Sequence, residues 1–417
     1  MARPTFSVIT LGCPRNYVDS QFLVKEGIDK GWEYVSQFDE ADYVFINTCG
    51  FIQPAIEESI DIILQIEELY QEGKVKEVWI VGCLVERFEK ELKKEFPWAQ
   101  FRGCIDPRRL SVRPIVFAEG GYAYVKICEG CISLCSFCTI PSIRGPLRSR
   151  RIEDVVSEVR YVSEKLGKGE VVLVGQDTTA YGIDIYRKPA LEDLLNAILD
   201  QTNVRWIRLM YAYPSRIGES LLDLIAHNNR IVPYIDLPIQ HINSAVLNRM
   251  NRGYDQKELD YIFDGVRERG IKVRTTIIVG FPGEGRKEFS QLRRFLEERK
   301  EIVRIGVFRF YPEIGTPAYS LQPRPKPSTV KGRYYRMRRL ANERLMEFKQ
   351  SLSGQVLDVI VDGFIPEIGL YLARTYWDAP EVDDILYLHS ETELFSGDLV
   401  RARISYSKGE LIGEVVD

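Results

Sequence analysis

Three short apolar runs in the first hundred residues, Phe6 to Leu11, Tyr43 to Ile46 and Val78 to Val81, each stop at a turn that contains or meets a cysteine. The turns read Leu11-Gly12-Cys13-Pro14, Asn47-Thr48-Cys49-Gly50 and Val81-Gly82-Cys83-Leu84. Between the runs, apolar residues recur at helical spacing, as over Gln53 to Tyr70. The segment therefore predicts strands that alternate with helices and pair in parallel. In an open parallel sheet the loops after the carboxyl ends of the strands share one rim, which is where such folds bind ligands. Cys13, Cys49 and Cys83 are thus expected to converge.

Residues 105–121 hold Pro107, Pro114 and Gly120-Gly121 without a clear period, and read as a linker after a first α/β domain at 1–104. A second block, 122–352, shows strand-like runs at Ala123 to Ile127, Val171 to Val174, Trp206 to Tyr211, Val232 to Pro238, Val273 to Val279 and Ile305 to Phe310. Helical patterns lie between them, such as Glu153 to Leu166, Leu191 to Leu199, Glu258 to Arg269 and Glu288 to Glu298. Repeated β-then-α units predict a parallel barrel or partial (β/α) barrel with its site at the carboxyl ends of the strands. The block ends in a basic helix from about Thr329 to Leu352, carrying Lys331, Arg333, Arg336, Arg338, Arg339, Arg344 and Lys349, which reads as a solvated face. Residues 353–417 change to short alternating runs, Val356 to Val361, Ile385 to His389 and Leu399 to Ile404, the pattern of a small all-β barrel. With 417 residues the chain is long enough for three such domains.

Eight cysteines are too few for a disulfide scaffold, and with only His227, His241 and His389 any metal falls to cysteine. No apolar run approaches the ~20 residues of a membrane span, and no signal-peptide pattern opens the sequence. A cytoplasmic protein without membrane contact is expected. After the first strand of the second block comes Gly130-Cys131-Ile132-Ser133-Leu134-Cys135-Ser136-Phe137-Cys138. Three thiolates spaced C-x3-C-x2-C in one loop suit three corners of a 4Fe-4S cluster and leave the fourth iron open. An open iron can chelate S-adenosylmethionine and deliver an electron to its sulfonium, giving a 5'-deoxyadenosyl radical. The competing reading is zinc, with Cys128 as a fourth sulfur. Zinc favours paired C-x2-C spacing, and Cys128 belongs to the strand, where a small buried residue is expected. Cys104 fits neither trio and reads as structural.

The Cys131–Cys138 loop resembles the signature of the radical S-adenosylmethionine superfamily, with Phe137 at a position whose family counterpart lies near the adenine. The turns at Cys13, Cys49 and Cys83 resemble the second-cluster motifs of the radical methylthiotransferases, and the resemblance spans essentially the whole chain. It implies a flavodoxin-like N-terminal domain, a central radical barrel and a C-terminal TRAM barrel. It also implies two 4Fe-4S clusters, held by Cys131, Cys135 and Cys138 and by Cys13, Cys49 and Cys83. In such enzymes one S-adenosylmethionine methylates a sulfur on the second cluster. Another is cleaved to the radical that takes hydrogen from the substrate carbon, to which the methylthio group is then joined. No catalytic residue beyond the cluster ligands is implied. By their place on the barrel rim, Gln176, Gln240 and Gly280 are candidates for contact with the cofactor, with Asp177 and His241 beside them.

Two branches of the family compete: one modifies the β-carbon of an aspartate in small-subunit ribosomal protein S-twelve, the other an adenosine in tRNA. The segments Gln176 to Gly182 and Arg374 to Asp383 resemble the protein-modifying branch. Charge points the same way. Residues 354–417 carry thirteen Asp and Glu against four Arg and Lys, which suits a basic protein partner better than RNA. The basic helix is compatible with a ribosomal RNA contact in either branch. A flavodoxin-type electron donor is expected for the radical step. A more distant alternative is a non-catalytic, metal-containing RNA-binding module.

Overall fold

The computed structural model describes residues 3–105 and 120–416; most of the expected linker, residues 106–119, lies outside the described residues. The first domain is a five-stranded parallel sheet of β1 (Thr5–Thr10), β2 (Glu33–Tyr34), β3 (Tyr43–Thr48), β4 (Glu77–Gly82) and β5 (Gln100–Arg102), ordered β2-β1-β3-β4-β5. This is the flavodoxin-like order, whose ligand crevice opens where the chain reverses direction between β1 and β3. Helices α1 (Pro14–Asp29), α2 (Gln53–Gln71) and α3 (Cys83–Glu95) follow β1, β3 and β4. Pro14 and Pro54 stand in the first turns of α1 and α2, where a missing N–H costs nothing. The apolar runs correspond to the three central strands, while β2 and β5, at two and three residues, are too short to carry a period.

The central domain contributes β6 (Tyr122–Lys126), the short antiparallel pair β7 (Cys128–Glu129) and β8 (Arg148–Ser149), then β9 (Glu170–Val174), β10 (Trp206–Leu209), β11 (Ile231–Asp236), β12 (Lys272–Val279) and β13 (Ile302–Arg309). Strand β6 and strands β9 to β13 form one parallel sheet ordered as they occur in the chain, an open partial barrel. Both edges are covered: α1 packs on β6, and the helix Pro327–Ser351 packs on β13. Unpaired strand edges are thereby hidden from other chains. The last domain is a closed barrel of β14 (Val356–Ile365), β15 (Leu370–Thr375), β16 (Leu386–His389), β17 (Leu399–Ser407) and β18 (Glu410–Val415). No helix among the described residues is long and apolar enough to cross a membrane.

Two charge readings need correction. The helix Pro327–Ser351 is not solvated all round, because Arg333, Arg344 and Lys349 are buried. Arg333 pairs with Glu284 at 2.5 Å, Lys349 with Asp384 at 3.2 Å, and Arg344 donates to the carbonyls of Leu296, Glu297, Arg299 and Ile302. The carbonyls of Leu296, Glu297 and Arg299 lie at the end of the preceding helix, where backbone oxygens are left free.

The acidity of the C-terminal domain is likewise in part internal. Arg304 of β13 is clasped by Asp378, by Asp384 at 2.6 Å and by Asp383 at 3.4 Å, and Arg274 of β12 reaches Asp383 at 3.3 Å. Glu170 of β9 joins Arg208 of β10 to Arg374 of β15, each at 2.5 Å, and Arg374 also holds Asp362. Tyr122 donates to Glu381. Five of the acids counted above, Asp362, Asp378, Glu381, Asp383 and Asp384, thus face the central domain. The segment 374–384 closes the barrel at the amino ends of its strands, leaving the carboxyl ends free for the site.

Replacing Arg304 by Ala leaves buried carboxylates unpaired and is expected to cost about 3–5 kcal/mol, read as a lowered urea midpoint. A loss below about 1 kcal/mol, the value of an exposed pair, would show that the clasp holds nothing together.

Candidate active site

Cys13 caps the amino end of α1, Cys49 lies between β3 and α2, and Cys83 is the first residue of α3. Their loops are packed on one another through glycine. A Cβ at Gly12, whose φ is +95°, would stand 2.8 Å from Cys49 Cβ and 2.9 Å from its sulfur. A Cβ at Gly50 would meet Leu84 Cα at 2.8 Å and the Cys83 carbonyl at 2.9 Å. Only glycine lets these backbones approach so closely. Burial, reinforced by Cys13 and Cys83, pushes the Cys49 thiol up to about 12. Cys83 goes the other way, down to about 6, because the Cys104 thiol bonds to it and Arg144 Nη2 donates to its sulfur at 3.0 Å. Cys104, read from sequence as merely structural, therefore touches the trio.

Cys131, Cys135 and Cys138 lie in the loop between β7 and the short helix α4 (Ile140–Arg144). Each sulfur accepts a hydrogen bond: Cys131 from Ser133 N at 3.3 Å, Cys135 from Arg252 Nη1 at 3.3 Å and Cys138 from Ile140 N at 3.5 Å. Donors of this kind favour the thiolate that a metal needs. Against them, burial raises Cys131 and pushes Cys138 up to about 12. Cys128 is fully buried behind the loop, its sulfur 3.6 Å from the Asp177 carbonyl. Among the described residues no three His, Cys, Asp or Glu side chains crowd a single point as a lone metal ion requires. A cluster takes one thiolate per iron and asks only for a wider arc.

The barrel-loop trio borders a cleft of about 770 Å³ at the carboxyl ends of the barrel strands, and the first domain's trio reaches it through Arg15. Its walls include Cys131, Cys135, Cys138, Phe137, Gln176, Asp177, Tyr211, Gln240 and Arg252, with Arg15 and Phe51 from the first domain. Arg15 carries the connection across, since its Nε donates to Cys13 Sγ at 3.3 Å. An apolar pocket of about 690 Å³ continues past Phe51, Phe137 and Gln240 toward Ile278, Phe308 and Phe310. Tyr211 and Gln240 both hold left-handed backbone, at φ 61° and 66°. For residues with a Cβ this costs of order 1–3 kcal/mol and recurs at functional sites.

Behind the cleft a buried ionic cluster joins the domains. Arg144 Nη1 lies 2.6 Å from Asp19 of α1 and 3.5 Å from Glu129, and Lys126 reaches the same two acids at 2.5 and 2.6 Å. Arg144 Nη2 also donates to Asn16 Oδ1 at 2.7 Å. Burial opposes ionisation of Glu129, but Lys126 and Arg144 outweigh it and hold the carboxyl below its usual range. Glu129 in turn accepts from Gln176, whose Oε1 is buried without a partner.

Of the rim residues picked from sequence, Phe137, Gln176 and Gln240 line the cleft. Gly280 is not among those walls: it lies beneath Val330, 2.6 Å from a built Cβ, and its N–H donates to Glu284. His241 is fully buried, and burial followed by Arg333 lowers it to about 3, so it is neutral. Sequence reasoning missed Arg15, Tyr211, Arg144 and Arg252. Only Arg15 had a signal, its place in the Cys13 turn.

Comparison with known proteins follows this division. Residues 125–296 match the family model described as the radical SAM superfamily, 5–102 that of the uncharacterized protein family UPF0004 and 354–416 that of the TRAM domain. A protein of Aquifex aeolicus named ribosomal protein uS12 methylthiotransferase RimO is 38% identical, with 95% of this chain and 94% of that one covered. Its namesake from Caldanaerobacter subterraneus subsp. tengcongensis is 37% identical over 98% of this chain and 99% of its own. Among solved structures, the radical S-adenosylmethionine methyltransferase TsrM of Kitasatospora setae, with cobalamin and a [4Fe-4S] cluster bound, is similar in fold. It has a TM-score of 0.54 at 16% identity, covering 76% of this chain and 77% of that one.

An Ala at position 50 has only backbone to push against, so Gly50→Ala is expected to part the Cys49 and Cys83 loops and cost about 1–3 kcal/mol in denaturant unfolding. Gly253→Ala, with nothing within 4 Å, is the control and should stay within about 0.5 kcal/mol. Equal effects of the two would contradict the close packing of the cysteine loops.

Proposed function

This chain belongs to the RimO family of ribosomal protein uS12 methylthiotransferases, and from that premise we propose that it joins a methylthio group to the β-carbon of an aspartate in uS12. Cys131, Cys135 and Cys138 would hold one 4Fe-4S cluster, and Cys13, Cys49 and Cys83 a second. Three thiols apiece leave an open iron on each. When bound, the pair supplies the electron that cleaves S-adenosylmethionine to a hydrogen-abstracting radical, and the sulfur that is methylated and transferred.

The observation that carries this reading is that Arg15, bonded to Cys13 of the first domain's trio, lines the same cleft as Cys131, Cys135 and Cys138. The remaining residues do ordinary work around it. Arg252, Ser133 N and Ile140 N neutralise developing thiolate charge in the barrel loop, as Arg144 does at Cys83. The unpartnered Oε1 of Gln176 is an acceptor for an ammonium or hydroxyl of the cofactor. Phe51 and Phe137 narrow the cleft and keep water from a reactive carbon. Gln240, on its strained backbone, offers a further polar contact. Substrate choice rests on relatives across the full chain, since part of the acidity that favoured a basic partner is used within the molecule. The tRNA-modifying reading has no observation of its own here. A flavodoxin-type protein would donate the electron, and the reaction belongs in the cytoplasm, where ribosomal proteins are assembled.

Anaerobic reaction with S-adenosylmethionine, reductant and sulfide, offering uS12 and tRNA separately, tests the reading by mass spectrometry. A methylthio gain on uS12 is expected; a gain on tRNA alone would overturn it. Reconstituted protein should hold about eight irons. Each triple Cys→Ala variant, at 13/49/83 or at 131/135/138, should retain about four, and iron unchanged in both would refute the ligand sets.

A further inference from the structure

Arg15 and Arg252 line the cleft, Arg216 bonds to its wall residues Asp177 and Ser133, and two of these three guanidinium groups are committed. Arg216 is paired with Asp177 at 2.5 Å and donates to Ser133 Oγ at 3.2 Å. Arg252 donates to Tyr254 Oη at 2.7 Å, to the Pro238 carbonyl at 2.8 Å and to Cys135. Arg15 is different. Its Nε bonds to Cys13 sulfur and its guanidinium lies over the Tyr211 ring, 4.5 Å from the centroid, yet among the described residues no carboxylate is paired with it. Both terminal nitrogens are therefore available, with four N–H donors.

The platform beneath Arg15 is built at a cost. Tyr211 is held in left-handed backbone by its N–H on Asp236 Oδ2 at 3.1 Å and by its carbonyl, which accepts from Thr178 N at 3.1 Å. Strain kept in place by bonds on both sides is the mark of a residue whose orientation matters. Here it aims the ring at Arg15. The guanidinium is thereby fixed between the two cysteine trios, half-buried and open to the cleft.

The reaction just proposed, on which this inference rests, supplies the missing partner. The β-carbon of aspartate is bonded directly to its carboxylate, so whatever holds that carboxylate stands within about 4–5 Å of the reacting carbon. That carbon must be reached from both trios, and Arg15 is the unpaired cation in the space between them. We propose that Arg15 recognises the side-chain carboxylate of the substrate aspartate, positioning its β-carbon between the two cysteine sets. The carboxylate of S-adenosylmethionine offers the same chemistry. Arg15 is disfavoured for it because its Nε is anchored to Cys13 of the first domain and not to the barrel loop.

The test is a double-mutant cycle on reconstituted holoenzyme, kept anaerobic with S-adenosylmethionine present. Binding of uS12 is compared for wild type and Arg15→Gln, with native uS12 and with uS12 whose target aspartate is changed to asparagine. Loss of a charged hydrogen-bonded pair should weaken native uS12 about tenfold or more, while the asparagine form changes less than about twofold. Arg15→Lys, which keeps charge but loses the fork, should fall between. Equal weakening of both uS12 forms overturns the proposal. So does a drop in S-adenosylmethionine affinity of the same size, which would assign Arg15 to the cofactor's carboxylate. Iron lost from both the Gln and Lys variants would make Arg15 a support for Cys13 only, and also overturns it. If wild-type enzyme neither binds nor modifies uS12, the substrate reading itself fails, an outcome distinct from all of these.

Discussion

The arrangement turns on four charges that never meet water. Asp19, Lys126, Glu129 and Arg144 form a neutral square, each side chain at most 3% exposed, with one corner on the first domain and three on the second. Drawing such groups from water is expensive, and their mutual attraction offsets the cost only when geometry is good and every member is present. Together they therefore do more for specificity than for raw stability. A first domain rotated by a few ångströms would leave Asp19 facing apolar surface and two cations without their second anion. The square thus fixes how the flavodoxin-like sheet sits on the barrel, and with it the relation between the cysteine trios.

The same square is wired into the chemistry on both sides. Arg144 ends on the Cys83 sulfur, and Glu129 accepts from Gln176 on the cleft wall. Mutual support of this kind is how a preorganised site is kept within small tolerances. The packed loops at Gly12 and Gly50 act to the same end at shorter range.

Much of this was legible in the chain. Strand-end cysteines, the C-x3-C-x2-C loop and the change to alternating runs after residue 353 are local patterns, and local patterns survive in sequence. The misreadings share one cause: charge has no address. Arg344 and Lys349 are written like any surface residues of a basic helix, and Asp378, Asp383 and Asp384 like any solubilising cluster. Only the fold shows that Lys349, Asp378, Asp383 and Asp384 lock two domains and that Arg344 caps carbonyls. Gly280 shows a related limit. A glycine at a strand end permits close approach, but sequence cannot say whether the neighbour is a ligand or, as here, Val330.

The segment 374–384, described above as closing the amino ends of the barrel strands, also governs traffic. With that end stoppered by Arg374, Asp378 and their partners, cofactor, substrate and products all use the carboxyl-end mouth. Whatever enters the cleft passes a rim to which both domains contribute, Arg15 and Phe51 from the first and Phe137 from the second.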